Sequence, residues 1–281
     1  KRYLYLIIGT ISMVIYGLMY NWTVFSLAVQ TDLAASTAAI ANVFSLCQVF
    51  ITLGGMVSGF LYYKINYRLS MIITSFMMGI GLFMTSRVTS PWMIYLFYSF
   101  GYTFAAGFAY KSLLTTIVRW FDDKPGLASG ILLMGAGLTA FVFNVPMSLL
   151  IEKIGWRSAM AVLSLLSLLI TMICALIVKQ AEIQEDTEVK EVNDENQIST
   201  RQMLLTKKFW FYFIWSVLLL AGCTALSGNA VNCGISFGIT ATTGASLSMI
   251  ISLFNSTSRV FYGMLYDKKG RKVTMGFATC F

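Results

Sequence analysis

Apolar residues fill eight runs of this chain and open a ninth, with polar positions gathered in short turns between them. The runs lie near residues 3–28, 38–63, 69–87, 92–117, 125–147, 157–178, 209–230 and 244–266, and the ninth begins around 273. Each holds about the 20 residues that a helix needs to cross ~30 Å of hydrocarbon. One connection departs from this rhythm. Residues 179–208, KQAEIQEDTEVKEVNDENQISTRQMLLTKK, are charged, weakly hydrophobic and without a sustained period. Such a segment buries too little apolar surface to offset its chain entropy, and it reads as a flexible linker. The pattern predicts an all-α, polytopic membrane protein: a six-helix bundle over 1–178, a linker over 179–208 and a partial second bundle over 209–281.

Composition agrees. The chain is 57% hydrophobic and 11% charged, where a soluble domain carries about a quarter charged residues. The first run is too long for the core of a signal peptide, and no small-residue cleavage site follows it. With the N-terminus inside, fifteen basic residues fall on cytoplasmic segments, against Arg87, Lys153 and Arg157 outside. By the positive-inside rule the N-terminus and the linker are cytoplasmic, in a cell-membrane protein. The net charge of +8 then reflects topology and gives no reason to invoke nucleic acid. The chain has no histidine, and its five cysteines stand singly in apolar segments. Metal, cofactor and disulfide chemistry therefore find no spacing to support them.

Two basic residues remain inside spans. Lys111 lies eight residues before Arg119, and Arg259 eight residues before Asp267. Each is therefore about 12 Å inside the end of its helix. Burying such a charge costs at least ~2.5–3.5 kcal/mol. All twelve acidic residues fall in loops or at helix ends, so no carboxylate of this chain neutralises either cation within the membrane. A transported anion in a wet cavity would do so. Lys111 has an alternative, since its long stem could lift the ammonium toward the cytoplasm. Arg259 is better matched to a carboxylate, which a guanidinium binds through two parallel N–H groups.

Other polar residues lie near the same depth. The first span carries Tyr20, Asn21, Trp22 and Thr23, the second Gln48, and the fourth Tyr110. Tyrosine and glutamine donate to a carboxylate without adding charge; interfacial anchoring or helix–helix bonding is their alternative role. Gly55 and Gly59 form a GxxxG pair suited to close helix packing, and the fifth span carries Gly126, Gly130, Gly135 and Gly137. The sequons NWT (21–23) and NST (255–257) fall within spans and are not read as glycosylation sites.

The segment GMLYDKKGRK, Gly263 to Lys272, fits the loop motif G-x-L-x-D-[R/K]-x-G-R-[R/K] of the major facilitator superfamily at every specified position. Gly263 allows close helix approach, Asp267 can pair with a base or a helix N-terminus, Gly270 makes the turn and Arg271 supplies an ionic latch. The counterpart GFLYYKINYR (59–68) has Tyr63 and Asn66 where Asp and Gly belong. Together with RWFDDKPGLASGILLMGAGLTAF (119–141), GWRSAM (155–160), LLTKKFWFYFIW (204–215) and FNSTSRVFYGMLYDKKGR, these segments resemble the oxalate/formate antiporter family, a branch related to monocarboxylate transporters. The resemblance implies twelve helices, so that this sequence stops within helix nine. It also implies a cavity arginine on helix eight, where Arg259 falls, and a cavity lysine on a helix beyond the sequence. Tyr20, Trp22, Gln48 and Tyr110 fall at cavity positions of the oxalate carriers. Met19 replaces a glutamine there, and Lys111 is an added charge.

The expected protein is a secondary transporter of small organic anions, mono- or dicarboxylates, working as a monomer in the bilayer by alternating access, with antiport favoured and no enzyme chemistry. Substrate binding falls to Arg259, Lys111, Tyr110, Gln48, Tyr20 and Trp22, and conformational control to Gly263, Asp267, Gly270 and Arg271. A carrier for a drug or sugar, or an anion receptor that does not transport, is the alternative.

Overall fold

The computed structural model describes residues 1–62, 64–180, 200–236 and 241–280; most of the expected linker, and Tyr63, lie outside the described residues. Every regular element among the described residues is a helix. The first apolar run forms α1 (Arg2–Tyr16), a 3-10 turn (Gly17–Asn21) and α2 (Trp22–Asp32). Next come α3 (Thr37–Leu61) and α4 (Tyr67–Thr85). Ser36 Oγ accepts from the Ala39 amide at 3.2 Å and Asn66 Oδ1 from the Arg68 amide at 2.9 Å. Each satisfies one of the amides that a helix start leaves without a partner. The fourth run enters on Pro91 and contains α5 (Pro91–Ile94), a π-helical stretch (Tyr95–Tyr102) and α6 (Thr103–Val118). The fifth and sixth runs form α7 (Pro125–Gly137) and α8 (Thr139–Ile177). At Gly155, within α8, φ is 78°, a left-handed value that glycine adopts without penalty. Beyond it lie α9 (Thr200–Leu205), α10 (Lys207–Ser236) and α11 (Ala241–Cys280), which is interrupted at Gly270 with φ of 75°.

The helices follow the predicted runs to within a few residues at most ends, and α8 and α11 each continue from one run into the next. By length and composition, Arg2–Asp32, Thr37–Leu61, Tyr67–Thr85 and Pro125–Ile177 are each able to cross a membrane.

Packing is reversed relative to a water-soluble protein. On α4, Leu69, Ile73, Phe76 and Ile80 are exposed, while Ser70, Thr74, Ser75 and Met78 are buried. Lipid tails are as apolar as leucine, so helices associate through small residues and hydrogen bonds. The buried hydroxyls are satisfied on their own helix: Thr74 Oγ1 donates to the Ser70 carbonyl at 3.0 Å and Ser75 Oγ to that of Met71 at 2.7 Å.

The seam of α3 and α6 is the closest of these packings. A Cβ at Gly54 would collide with the Phe104 carbonyl, and one at Gly107 with the Ile51 carbonyl. Hydrogen bonds between Ser58 and Ser112 (2.8 Å) and between Tyr62 and Thr116 (3.0 Å) extend the seam. The expected Gly55/Gly59 pair is not the contact: Gly59 has nothing within 4 Å, and a Cβ at Gly55 would sit 3.7 Å from the Gly107 carbonyl oxygen. The helix turns its neighbouring glycine, one position earlier, to the partner. At the other ends of the helices, Arg157 donates to Asp32 (2.7 Å) and to the Val88 carbonyl (2.7 Å), joining the ends of three spans.

The chain divides into two compact units, one of Lys1–Ala181 with Ser252–Thr274, the other of Glu182–Ile251 with Met275–Phe281. Within the second, the Trp210 indole donates to the Leu204 carbonyl at 2.8 Å, fastening α9 to α10.

Candidate functional site

The first unit contains a cavity of about 330 Å³ whose walls include Tyr20 from the 3-10 turn, Gln48 and Thr52 from α3, Tyr110 and Lys111 from α6, and Arg259 from α11. Interrupted helices border it. Tyr98 and Tyr102, on the π-helical stretch, donate to the carbonyls of Leu18 (3.2 Å) and Ile15 (2.8 Å). Those bonds engage carbonyls where α1 gives way to the 3-10 turn. Gly17 sits against the break between α7 and α8, where a Cβ would collide with Thr139 Oγ and approach the Ala136 carbonyl to 2.6 Å.

Of the expected binding residues, Tyr20, Gln48, Tyr110, Lys111 and Arg259 are brought together in this cavity. Trp22 is placed elsewhere. It is 3% exposed, its indole donates to the Ile40 carbonyl at 3.2 Å, and its ring packs 5.0 Å from that of Tyr98. Residues two apart on a helix point to nearly opposite sides, so Tyr20 and Trp22 do not share a wall. Asn21 is also buried and donates to Asn144 Oδ1 at 2.8 Å.

Arg259 is held by the packing of α11 along α7. A Cβ at Gly130 would lie 2.5 Å from the Arg259 carbonyl oxygen, and one at Gly137 2.5 Å from Ser256 Oγ. The guanidinium donates to the Leu133 carbonyl at 2.7 Å and to Asn255 Oδ1 at 3.1 Å. Both acceptors are neutral, and a guanidinium carries five N–H donors, so the charge is oriented without being neutralised. Asn255 was not singled out in the sequence, although its position four residues before Arg259 puts both on one helical face. Among the described residues no hydrogen bond reaches the Lys111 ammonium, the Gln48 amide or the hydroxyls of Tyr20 and Tyr110, and no carboxylate lines the cavity. Among the described residues the site carries two positive charges, with the donors of Gln48, Tyr20 and Tyr110 beside them.

The loop motif lies at the far end of the same helix pair. Gly263 and Gly126 meet so closely that a Cβ on either would collide with the other's carbonyl. Asp267 accepts from the amides of Gly126 (2.8 Å) and Leu127 (2.7 Å), placing a carboxylate on the positive end of α7. Gly270 makes the turn with its positive φ. Arg271, expected as an ionic latch, is exposed and forms no ion pair among the described residues.

Apolar spans, breaks at mid-helix and a cavity between helices that carries two cations define a multi-pass membrane transporter of all-α architecture. Residues 7–281 match the family description Major Facilitator Superfamily. The chain belongs to that superfamily. It is 28% identical over 279 residues to the oxalate:formate antiporter of Oxalobacter formigenes, covering 98% of this chain and 66% of that protein. It is 25% identical over 283 residues to an uncharacterized transporter of the superfamily from Escherichia coli, covering 98% and 69%. With human monocarboxylate transporter 12 the identity is 24% over 269 residues, covering 85% of this chain and 48% of that protein. The chain thus spans about half to two thirds of the length of these relatives.

The contact at Asp267 carries a prediction for such a transporter. Asp267→Asn removes the charge facing the α7 amides and turns one acceptor into a donor, while the cavity keeps its composition. Turnover is expected to fall several-fold, with the half-saturation concentration within about two-fold of wild type; an interaction of charge with a helix terminus is worth about 0.3–2 kcal/mol. Initial exchange rates over a range of substrate concentrations test this. A large rise in half-saturation at normal turnover would move Asp267 into the binding site.

Proposed function

We propose that the protein is a secondary transporter of small organic anions, mono- or dicarboxylates, that exchanges them across the cell membrane by alternating access. The observation that carries this reading is the pair of cations, Lys111 and Arg259, in one cavity whose other described walls are uncharged. A carboxylate entering there meets the unused N–H groups of Arg259, with Gln48, Tyr20 and Tyr110 available to its remaining lone pairs. Its charge offsets a desolvation that the bare cations would otherwise bear. Exchange follows from the same electrostatics: occluding an empty site with two cations is unfavourable, so the return step is made loaded. The Oxalobacter relative, an oxalate:formate antiporter, and the human relative, a monocarboxylate transporter, support a carboxylate as the substrate.

In this reading the halves 1–178 and 209–281 rock about the cavity, joined by the linker 179–208, with the N-terminus and linker cytoplasmic and the monomer as the working unit. Asp267 on the α7 N-terminus then holds the cytoplasmic ends of α7 and α11 together in one state of the cycle. Counterflow in liposomes tests the proposal. Radiolabelled oxalate or formate is expected to accumulate in vesicles preloaded with unlabelled carboxylate and not in vesicles preloaded with a neutral sugar. No accumulation of any carboxylate would overturn it.

A further inference from the structure

We infer that Lys111 makes this a site for small dicarboxylates, taking the second carboxylate of a dianion whose first is held by Arg259. The inference rests on the proposed transport of carboxylates through the cavity, and it goes further by assigning Lys111 a role in choosing among them.

The geometry bears first on where the Lys111 side chain can go. Its helical span begins at Pro91 and α6 ends at Val118, so the shorter route out of the membrane is past the C-terminal end. Side chains on a helix leave the backbone tilted toward its N-terminus. Lys111 therefore starts away from the near end and toward the middle of the span, against the direction that lifting its ammonium to the near surface requires. There is room for the side chain on the cavity side. Its neighbour on α3 is Gly55, where even a Cβ would lie 3.9 Å from the Lys111 Cβ, and the residue lines the cavity.

The second argument is the division of labour between the two cations. Two of the Arg259 N–H groups are committed to Leu133 and Asn255, which fixes the guanidinium plane for one incoming carboxylate. The Lys111 ammonium has no acceptor among the described residues and stands on a different helix of the same cavity. A dicarboxylate reaching both pairs each of these two cations. A monocarboxylate leaves one cation uncompensated, a state whose occlusion a low-dielectric surrounding opposes.

The test compares dianions with monoanions in the same vesicles, so that the ratio cancels differences in the amount of inserted protein. Counterflow of oxalate and malonate is measured against formate and acetate for the wild type, Lys111→Met and Lys111→Arg. Lys111→Met is expected to lower dicarboxylate exchange about ten-fold or more relative to monocarboxylate exchange, and Lys111→Arg to retain the preference for dianions. If Lys111→Met does not insert, Lys111→Gln is read by the same ratio. Equal loss for both classes, or no loss, would overturn the role of Lys111 while leaving carboxylate transport standing. A wild type that moves none of the four anions would overturn both.

Discussion

Arg259→Gln is expected to abolish the proposed carboxylate exchange, by about 100-fold or more, and to leave the protein in the membrane at its normal abundance. The glycine contacts between α7 and α11 are made to the Arg259 backbone and to Ser256, so the packing does not depend on the Arg259 side chain. What disappears is the charge that the anion needs. Removing one partner of a desolvated charge pair costs about 2–5 kcal/mol, because the other charge is left unpaired. Arg259→Lys separates the two properties of the residue: it keeps the charge and loses the planar fork, and affinity is expected to fall with transport still measurable. Uptake at the wild-type rate by the glutamine variant would sink the assignment of Arg259 as the anchor.

Gly107→Val is expected to remove folded protein outright. Its Cβ would be driven into the Ile51 carbonyl, a backbone atom that can yield only by parting α3 from α6. Overpacking of this kind costs on the order of 3 kcal/mol or more, a large share of the 5–15 kcal/mol that holds a typical domain together. Membrane abundance and the midpoint of thermal aggregation in detergent read the effect. Gly59→Val is the matched control, since nothing lies within 4 Å of that Cβ, and both measurements should stay at wild-type values. Equal behaviour of the two variants would show that the seam is not at Gly107.

The spans were legible in the sequence because a membrane helix satisfies its own backbone, and so its length and polarity are local properties. The breaks within them were not. The 3-10 turn at Gly17–Asn21 and the π-helical stretch at Tyr95–Tyr102 answer to each other through hydroxyl-to-carbonyl bonds between elements some eighty residues apart, which no local pattern records. In the cavity, Tyr20, Gln48, Tyr110, Lys111 and Arg259 stand out in the sequence because a polar group inside an apolar run is costly and must have a use. Trp22 shared that logic and failed it: an indole is amphipathic enough to be at home in the core once its N–H finds Ile40. The Gly55/Gly59 pair failed for another reason. Spacing alone does not say which side of α3 faces α6: Gly54 meets the Phe104 backbone and Gly107 meets that of Ile51.

Tyr98 and Tyr102 have a wider consequence. Their hydroxyls reach carbonyl oxygens at positions 15 and 18, and every amino acid carries a carbonyl oxygen. Ile15 and Leu18 are buried, so substitutions there are limited by packing alone and leave the joint in the first span, provided the two hydroxyls persist. The instruction for bending one helix is written in another, and mutational tolerance is unequally divided between them.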